Sequence, residues 1–123
     1  MMTDLSKTII LDIDGCVIEQ RENYMEHLAS GYKFDLLPGT FDKLKEWESK
    51  NYRLILITAR KEGARRVTEK MLDSLGVFYD QLIMGVGIGP RVLINDMKPS
   101  KPDMIMAEAF NLPRNAGISS VNV

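Results

Sequence analysis

Thr8-Ile9-Ile10-Leu11-Asp12-Ile13-Asp14-Gly15-Cys16-Val17 decides the fold of this chain. An apolar run rich in β-branched residues reads as a buried strand, here from about Lys7 to Ile13. It stops at two carboxylates and a glycine. Side chains alternate along a strand, so Asp12 and Asp14 fall on one side where the sheet ends. Two like charges about 4 Å apart repel by roughly 4 kcal/mol at an effective dielectric near 20, which a cation or a shared proton relieves. An isolated Asp-x-Asp triplet is commonly two solvated acids. Its weight comes from the residues that other strands deliver beside it.

Working outward, strand and helix patterns alternate, which predicts an α/β layer with a mostly parallel sheet. Residues 19–37 are polar and weakly periodic, with Tyr24, His27, Tyr32 and Phe34 among charges. Pro38-Gly39-Thr40 opens a helix with Phe41, Leu44 and Trp47 as its core face, ended by Asn51. Tyr52 to Thr58 is a second buried strand. A helix follows from about Glu62 to Leu75, with Val67, Met71, Leu72 and Leu75 inward and Gly76 at its end. Short strands are predicted at Gln81 to Met84 and Arg91 to Ile94. Pro102 suits the first turn of a helix reaching about Phe110, and the tail to Val123 adds an edge strand.

Crossovers between parallel strands are right-handed, so the carboxyl ends of the strands share one edge, where ligands of open α/β sheets bind. That edge is expected to gather Asp12 and Asp14, then Thr58, Ala59 and Arg60, then Asn95, Asp96 and Lys98. Three carboxylates among hydroxyls and fixed cations form a hard-oxygen site of the kind Mg²⁺ prefers, suited to a phosphoryl group. One carboxylate can attack in line, and a neighbouring acid can move the protons.

Asp12-x-Asp14-Gly15 after a buried strand, Thr58 closing the second strand and Asp96 after a later one resemble the haloacid dehalogenase (HAD) superfamily of phosphatases. The resemblance runs from about Lys7 to Phe110 and implies a Rossmann-like three-layer sandwich. It implies Asp12 as nucleophile and Asp14 as general acid/base, meeting Mg²⁺ through its backbone carbonyl. Thr58 would bond the phosphoryl oxygens, with Gly15, Ala59 and Arg60 along the substrate. The family's basic third motif departs here: Arg91 is the nearest candidate, Lys98 the second and Arg60 the third. For the metal, Asn95 and Asp96 both stand at the fourth motif, and charge favours Asp96.

Residues 19–37 occupy the place of a cap but are too few for a second core, so the chain reads as one capless domain with a short flap. Such an open site is closed by substrate or by a neighbouring subunit, which makes a homo-oligomer an expectation. The expected reaction is Mg²⁺-dependent hydrolysis of a small phosphomonoester, a sugar phosphate in the first place. Two other readings stand beside it. One is a receiver-like phospho-Asp switch, which the order of motifs disfavours; the other is a catalytically weak binding module on the same fold.

The 123 residues are 45% apolar and 27% charged, ordinary globular values. A net charge of −1 gives no reason to expect nucleic acid or an anionic membrane as partner. The one cysteine, Cys16, permits no internal disulfide and fits the cytoplasm. With Asp4 ahead of a short apolar run, neither a leader nor a membrane span is expected. Gly85-Val86-Gly87-Ile88-Gly89 precedes a proline and a strand, the wrong context for a dinucleotide loop, and reads as a flexible wall of the site.

Overall fold

The computed structural model describes residues 5–123; the leader expectation rests on residues 1–4, which lie outside them. The β-branched run after Lys7 forms β1 (Thr8–Asp12), and Arg53–Ile57 forms β2 parallel to it, registered from Thr8 opposite Arg53 to Asp12 opposite Ile57. A third parallel strand, β3 (Gln81–Ile83), pairs with β2, so the order is β1-β2-β3. The architecture is the expected Rossmann-like α/β type.

Between β1 and β2 lie α1 (Tyr24–Ala29) and α2 (Thr40–Ser49). Gly39, in the left-handed region at φ 83°, turns the chain into α2. The Thr40 hydroxyl donates to the Val17 carbonyl at 2.9 Å, tying the helix start to the loop after β1. Between β2 and β3 a 3₁₀ turn (Glu62–Ala64) leads into α3 (Arg65–Ser74), and Arg65 pairs with Glu62 and Glu69 one turn either side. Two right-handed crossovers in one direction place α2 and α3 on the same face of the sheet. There Leu11, Leu54, Leu56 and Leu82 pack with Leu44, Trp47, Met71 and Leu72 in one core. No described helix is long and apolar enough to cross a membrane.

Several expectations are corrected. Phe41 and Val67 are exposed, because the inward faces of α2 and α3 run through Leu44 and Trp47 and through Thr68, Met71 and Leu72. Neither the strand Arg91–Ile94 nor the helix from Pro102 to Phe110 forms. Residues 86–110 form an exposed arm without helix or strand that touches the body at Val86 and at Arg91 beside Asp12, and Val92 and Ile94 are 83% and 91% exposed. A strand without a ladder partner and a short helix without a face to bury have little to hold them. The tail makes no edge strand; it returns to the body, where Ile118 is fully buried and its N–H donates to the Pro38 carbonyl at 2.9 Å.

The face of the sheet opposite α2 and α3 carries Ile10, Ile55, Ile57 and Ile83. Ile10 and Ile83 remain exposed, an open apolar side unusual for a parallel sheet.

Candidate active site

The site begins where β1 ends. The Ile13 N–H still bonds the Ile57 carbonyl at 3.2 Å, after which the chain doubles back so that the Gly15 N–H reaches the Ile18 carbonyl at 2.8 Å. Gly15 takes φ 89°, a conformation open to glycine at little cost, and this turn re-aims Asp14 away from the strand direction. The tail braces the turn. The Asn115 N–H donates to the Gly15 carbonyl at 2.9 Å, and the Asn115 side-chain oxygen accepts from the Gln20 N–H at 2.7 Å.

The two aspartates end in unlike settings. Asp14 is gripped by Arg60, with Nη2 donating to Oδ1 at 2.8 Å and Nε to Oδ2 at 3.1 Å. The Arg60 side chain is only 2% exposed. Its Nη1 donates to the Thr68 hydroxyl at 3.1 Å, and the Tyr24 ring of the flap lies 4.2 Å from its guanidinium carbon. The fully buried Thr58 hydroxyl accepts from the Arg60 N–H at 3.1 Å and faces Asp14 Oδ2 at 3.4 Å. Both Asp14 oxygens are therefore engaged from the β2 side.

Asp12 is half-buried and open to the crevice. Its Oδ1 accepts from the Ile13 N–H at 3.1 Å, and Arg91 Nη1 stands 3.6 Å from Oδ2. Burial pushes the Asp12 carboxyl above its ordinary range; Arg91 and the Ile13 N–H pull it back, and the charge of Asp14 adds to the rise. Burial also raises the neighbouring Cys16 thiol, helped by the Asp12 charge and opposed by Arg91, and Cys16 packs against the core.

The structure thus brings together Asp12, Asp14, Gly15, Thr58, Arg60 and Arg91, with Ala59 exposed at the rim. Of the three candidates for the basic motif, Arg91 is the one that reaches Asp12. Arg60, expected along the substrate, is turned inward instead, because its guanidinium is held by Asp14, Thr68 and Tyr24. Asp96 and Lys98 sit exposed on the arm, outside this cluster. Among the described residues no three His, Cys, Asp or Glu side chains are placed to hold a metal ion. A single chain in this conformation therefore does not assemble the carboxylate set expected for Mg²⁺.

The flap and the tail each add a contact to the site, the tail through Asn115, whose place near the chain's end left a reach into the crevice or an oligomer contact both open in the sequence. Tyr24 belongs to the polar flap, and only its place over Arg60 reveals its part. Asn115 acts through a left-handed backbone, φ 62°, a conformation asparagine adopts more readily than most residues. A groove of about 350 Å³ lies between α1 and α3, lined by Met25, Leu28, Phe34 and Met71, and is separate from the acidic cluster.

No family model matches the sequence, and no curated protein does. Among solved structures, the chain is similar to one in the Pnkp1/Rnl/Hen1 complex, at 28% identity with a TM-score of 0.56, over 74% of this chain and 32% of that one. A chain of the Pnkp1/Rnl/Hen1 RNA repair complex is similar at 29% identity with a TM-score of 0.54, over 65% of this chain and 26% of that one. This chain thus spans a third or less of the chains it matches.

Proposed function

We propose that the chain is a HAD-type phosphomonoester hydrolase that carries the phosphoryl group on Asp12 and works in the cytoplasm. The observation that supports this is the division of labour in the acidic pair. Asp14 is pinned by Arg60, while Asp12 stands open at the carboxyl end of β1 with Arg91 beside it. In the proposed reaction an Asp12 oxygen attacks phosphorus and the bond to the ester oxygen breaks. The leaving alcohol takes its proton from solvent water at the open site; Asp14 would serve as the acid only after Arg60 releases it and it takes up a proton itself. Water then attacks the aspartyl phosphate, giving inorganic phosphate and restoring the Asp12 carboxylate. Arg91 offsets charge on the transferring group. Mg²⁺ belongs to the proposal on condition that Asp96 is brought to Asp12.

A small sugar phosphate is the leading substrate class, on the resemblance to small capless members of the superfamily. The likeness to a chain of an RNA repair complex favours a second substrate, the phosphorylated end of an RNA.

Hydrolysis of p-nitrophenyl phosphate with and without Mg²⁺, for the native chain and Asp12→Asn, tests the reaction. Metal-dependent turnover that the variant lacks is the expected result; equal rates for the two chains would overturn it. An adduct on Asp12 that lasts for minutes would make the protein a switch. Release of phosphate from sugar phosphates against phosphorylated RNA oligonucleotides separates the two substrate classes.

A further inference from the structure

We infer that Arg114 binds a second phosphate of the substrate, carried by the leaving group a few bonds from the phosphoryl that Asp12 receives. The esters it selects are those with two phosphates, a group that a sugar bisphosphate and a nucleoside bisphosphate share.

The backbone puts Arg114 in its place. Residues 113–116 form a tight turn, closed by the Ala116 N–H on the Pro113 carbonyl at 3.2 Å, with Arg114 and Asn115 at its corners. The turn is fastened to the segments that carry the acidic pair. The Asn115 N–H donates to the Gly15 carbonyl at 2.9 Å, and the Gln20 N–H donates to Asn115 Oδ1 at 2.7 Å. The Ile118 N–H then ties the following residues to the Pro38 carbonyl. The Arg114 side chain follows its backbone, since a Cβ added to Gly15 would lie 3.5 Å from Arg114 Cγ. Its stem therefore runs over the glycine of the Asp12-x-Asp14-Gly15 turn. Gly15 stands three residues after Asp12, at most about 11 Å of chain away.

The charge of Arg114 has no partner among the described residues. Asp14 is taken by Arg60, Asp12 stands beside Arg91, and Glu19 pairs with Arg21, while exposed Arg114 forms no ion pair. Both acids of the turn are thus matched, and Arg114 is a surplus cation at their edge. A solvated surface arginine is ordinary. One whose backbone is tied to the turn that aims the acids meets any anion bound across that turn.

Which anion it meets follows from Arg91, the cation already beside Asp12, where the transferring phosphoryl would sit. The anion left for Arg114 is another group of the same molecule. A planar guanidinium holds a phosphate through two parallel N–H bonds. Binding energy from a part of the substrate that does not react raises kcat/KM.

The inference rests on the hydrolase reading for the group transferred, and two measurements keep them apart. In the first, kcat/KM is compared with and without the second phosphate. Adenosine bisphosphate, phosphorylated at both ends of its ribose, is set against adenosine monophosphate, and fructose bisphosphate against fructose monophosphate. The native chain is expected to favour one bisphosphate by about tenfold or more, and the pair that shows this gives the leaving group. Arg114→Met keeps the stem over Gly15 and removes the charge, so the preference should vanish; Arg114→Lys should restore part of it. A native chain without a preference, or a preference that Arg114→Met retains, would overturn the inference.

In the second, calorimetry reads the binding of the two bisphosphates to the Asp12→Asn chain, where turnover does not intervene. Adding Arg114→Met is expected to weaken the tighter of them about tenfold, and an unchanged affinity overturns the inference. An inactive native chain whose bisphosphate affinity still depends on Arg114 overturns the hydrolase reading alone.

Discussion

Arg60 closes a two-point grip on Asp14, Nη2 to Oδ1 and Nε to Oδ2, from a position almost wholly removed from water. Such bidentate pairs fix direction as well as charge, so the second aspartate has one orientation, set from β2.

Removing either partner should destabilise the fold unequally. Asp14→Ala leaves a buried guanidinium with Thr68 and Tyr24 as its remaining neighbours, and a cost of about 3–5 kcal/mol is expected. Arg60→Met leaves a carboxylate that is a quarter exposed, and a similar apolar chain can fill the space against Tyr24 and Met71, so about 1–2 kcal/mol is expected. Urea denaturation of the two variants measures the difference; equal losses would mean that the pair does not act as described.

The hydroxyl of Thr58 is wholly buried and joins Arg60 to Asp14. Thr58→Val keeps the shape and strands the Arg60 N–H, for an expected loss of about 1–3 kcal/mol. Thr58→Ser keeps the hydroxyl and should lose less than half as much in the same denaturation series.

Asp12→Asn should abolish turnover without harming the fold. Burial holds the Asp12 carboxyl above its ordinary 3.8, so folding favours the protonated form. That contribution is complete below the ordinary value and is lost as pH rises through the raised one. At neutral pH the variant should melt at or above the native temperature, and the gap should close below pH 3.8. A lower melting temperature at pH 7 would show that Asp12 is held by more than Arg91 and the Ile13 N–H.

Gly39 stands at φ 83°, and a Cβ there would meet the Ser119 nitrogen at 2.6 Å. Gly39→Ala should cost at least about 1–3 kcal/mol. It should also loosen the tail, read as faster amide exchange at Ile118, whose N–H bonds the Pro38 carbonyl.

Much of the site was legible because it depends on strand ends. The apolar runs before Asp12 and Thr58 are decided by local pattern, and the parallel pairing of β1 with β2 places the two ends side by side. Val92-Leu93-Ile94 has the same local pattern but a different outcome, since a strand exists only with a partner and a sequence does not state where the partner is. Arg60 misled for a related reason. Its neighbours Thr68 and Tyr24 come from α3 and from the flap, so its inward turn is a matter of packing between segments. Phe41 and Val67 show the same limit on helices, where apolar residues at the right spacing lie one step off the buried stripe.

The arm is rooted on both sides of the acidic turn, by Gly85 and Val86 against the end of β2 and by Asn115 against Gly15. A load applied along it would therefore be passed to Thr58 at one root and to the Asp14 turn at the other, with the Arg91–Asp12 contact between them. Whatever takes hold of the arm tugs on the two loops that aim the carboxylates, and pulling the arm with a tether should slacken the site before the sheet gives way.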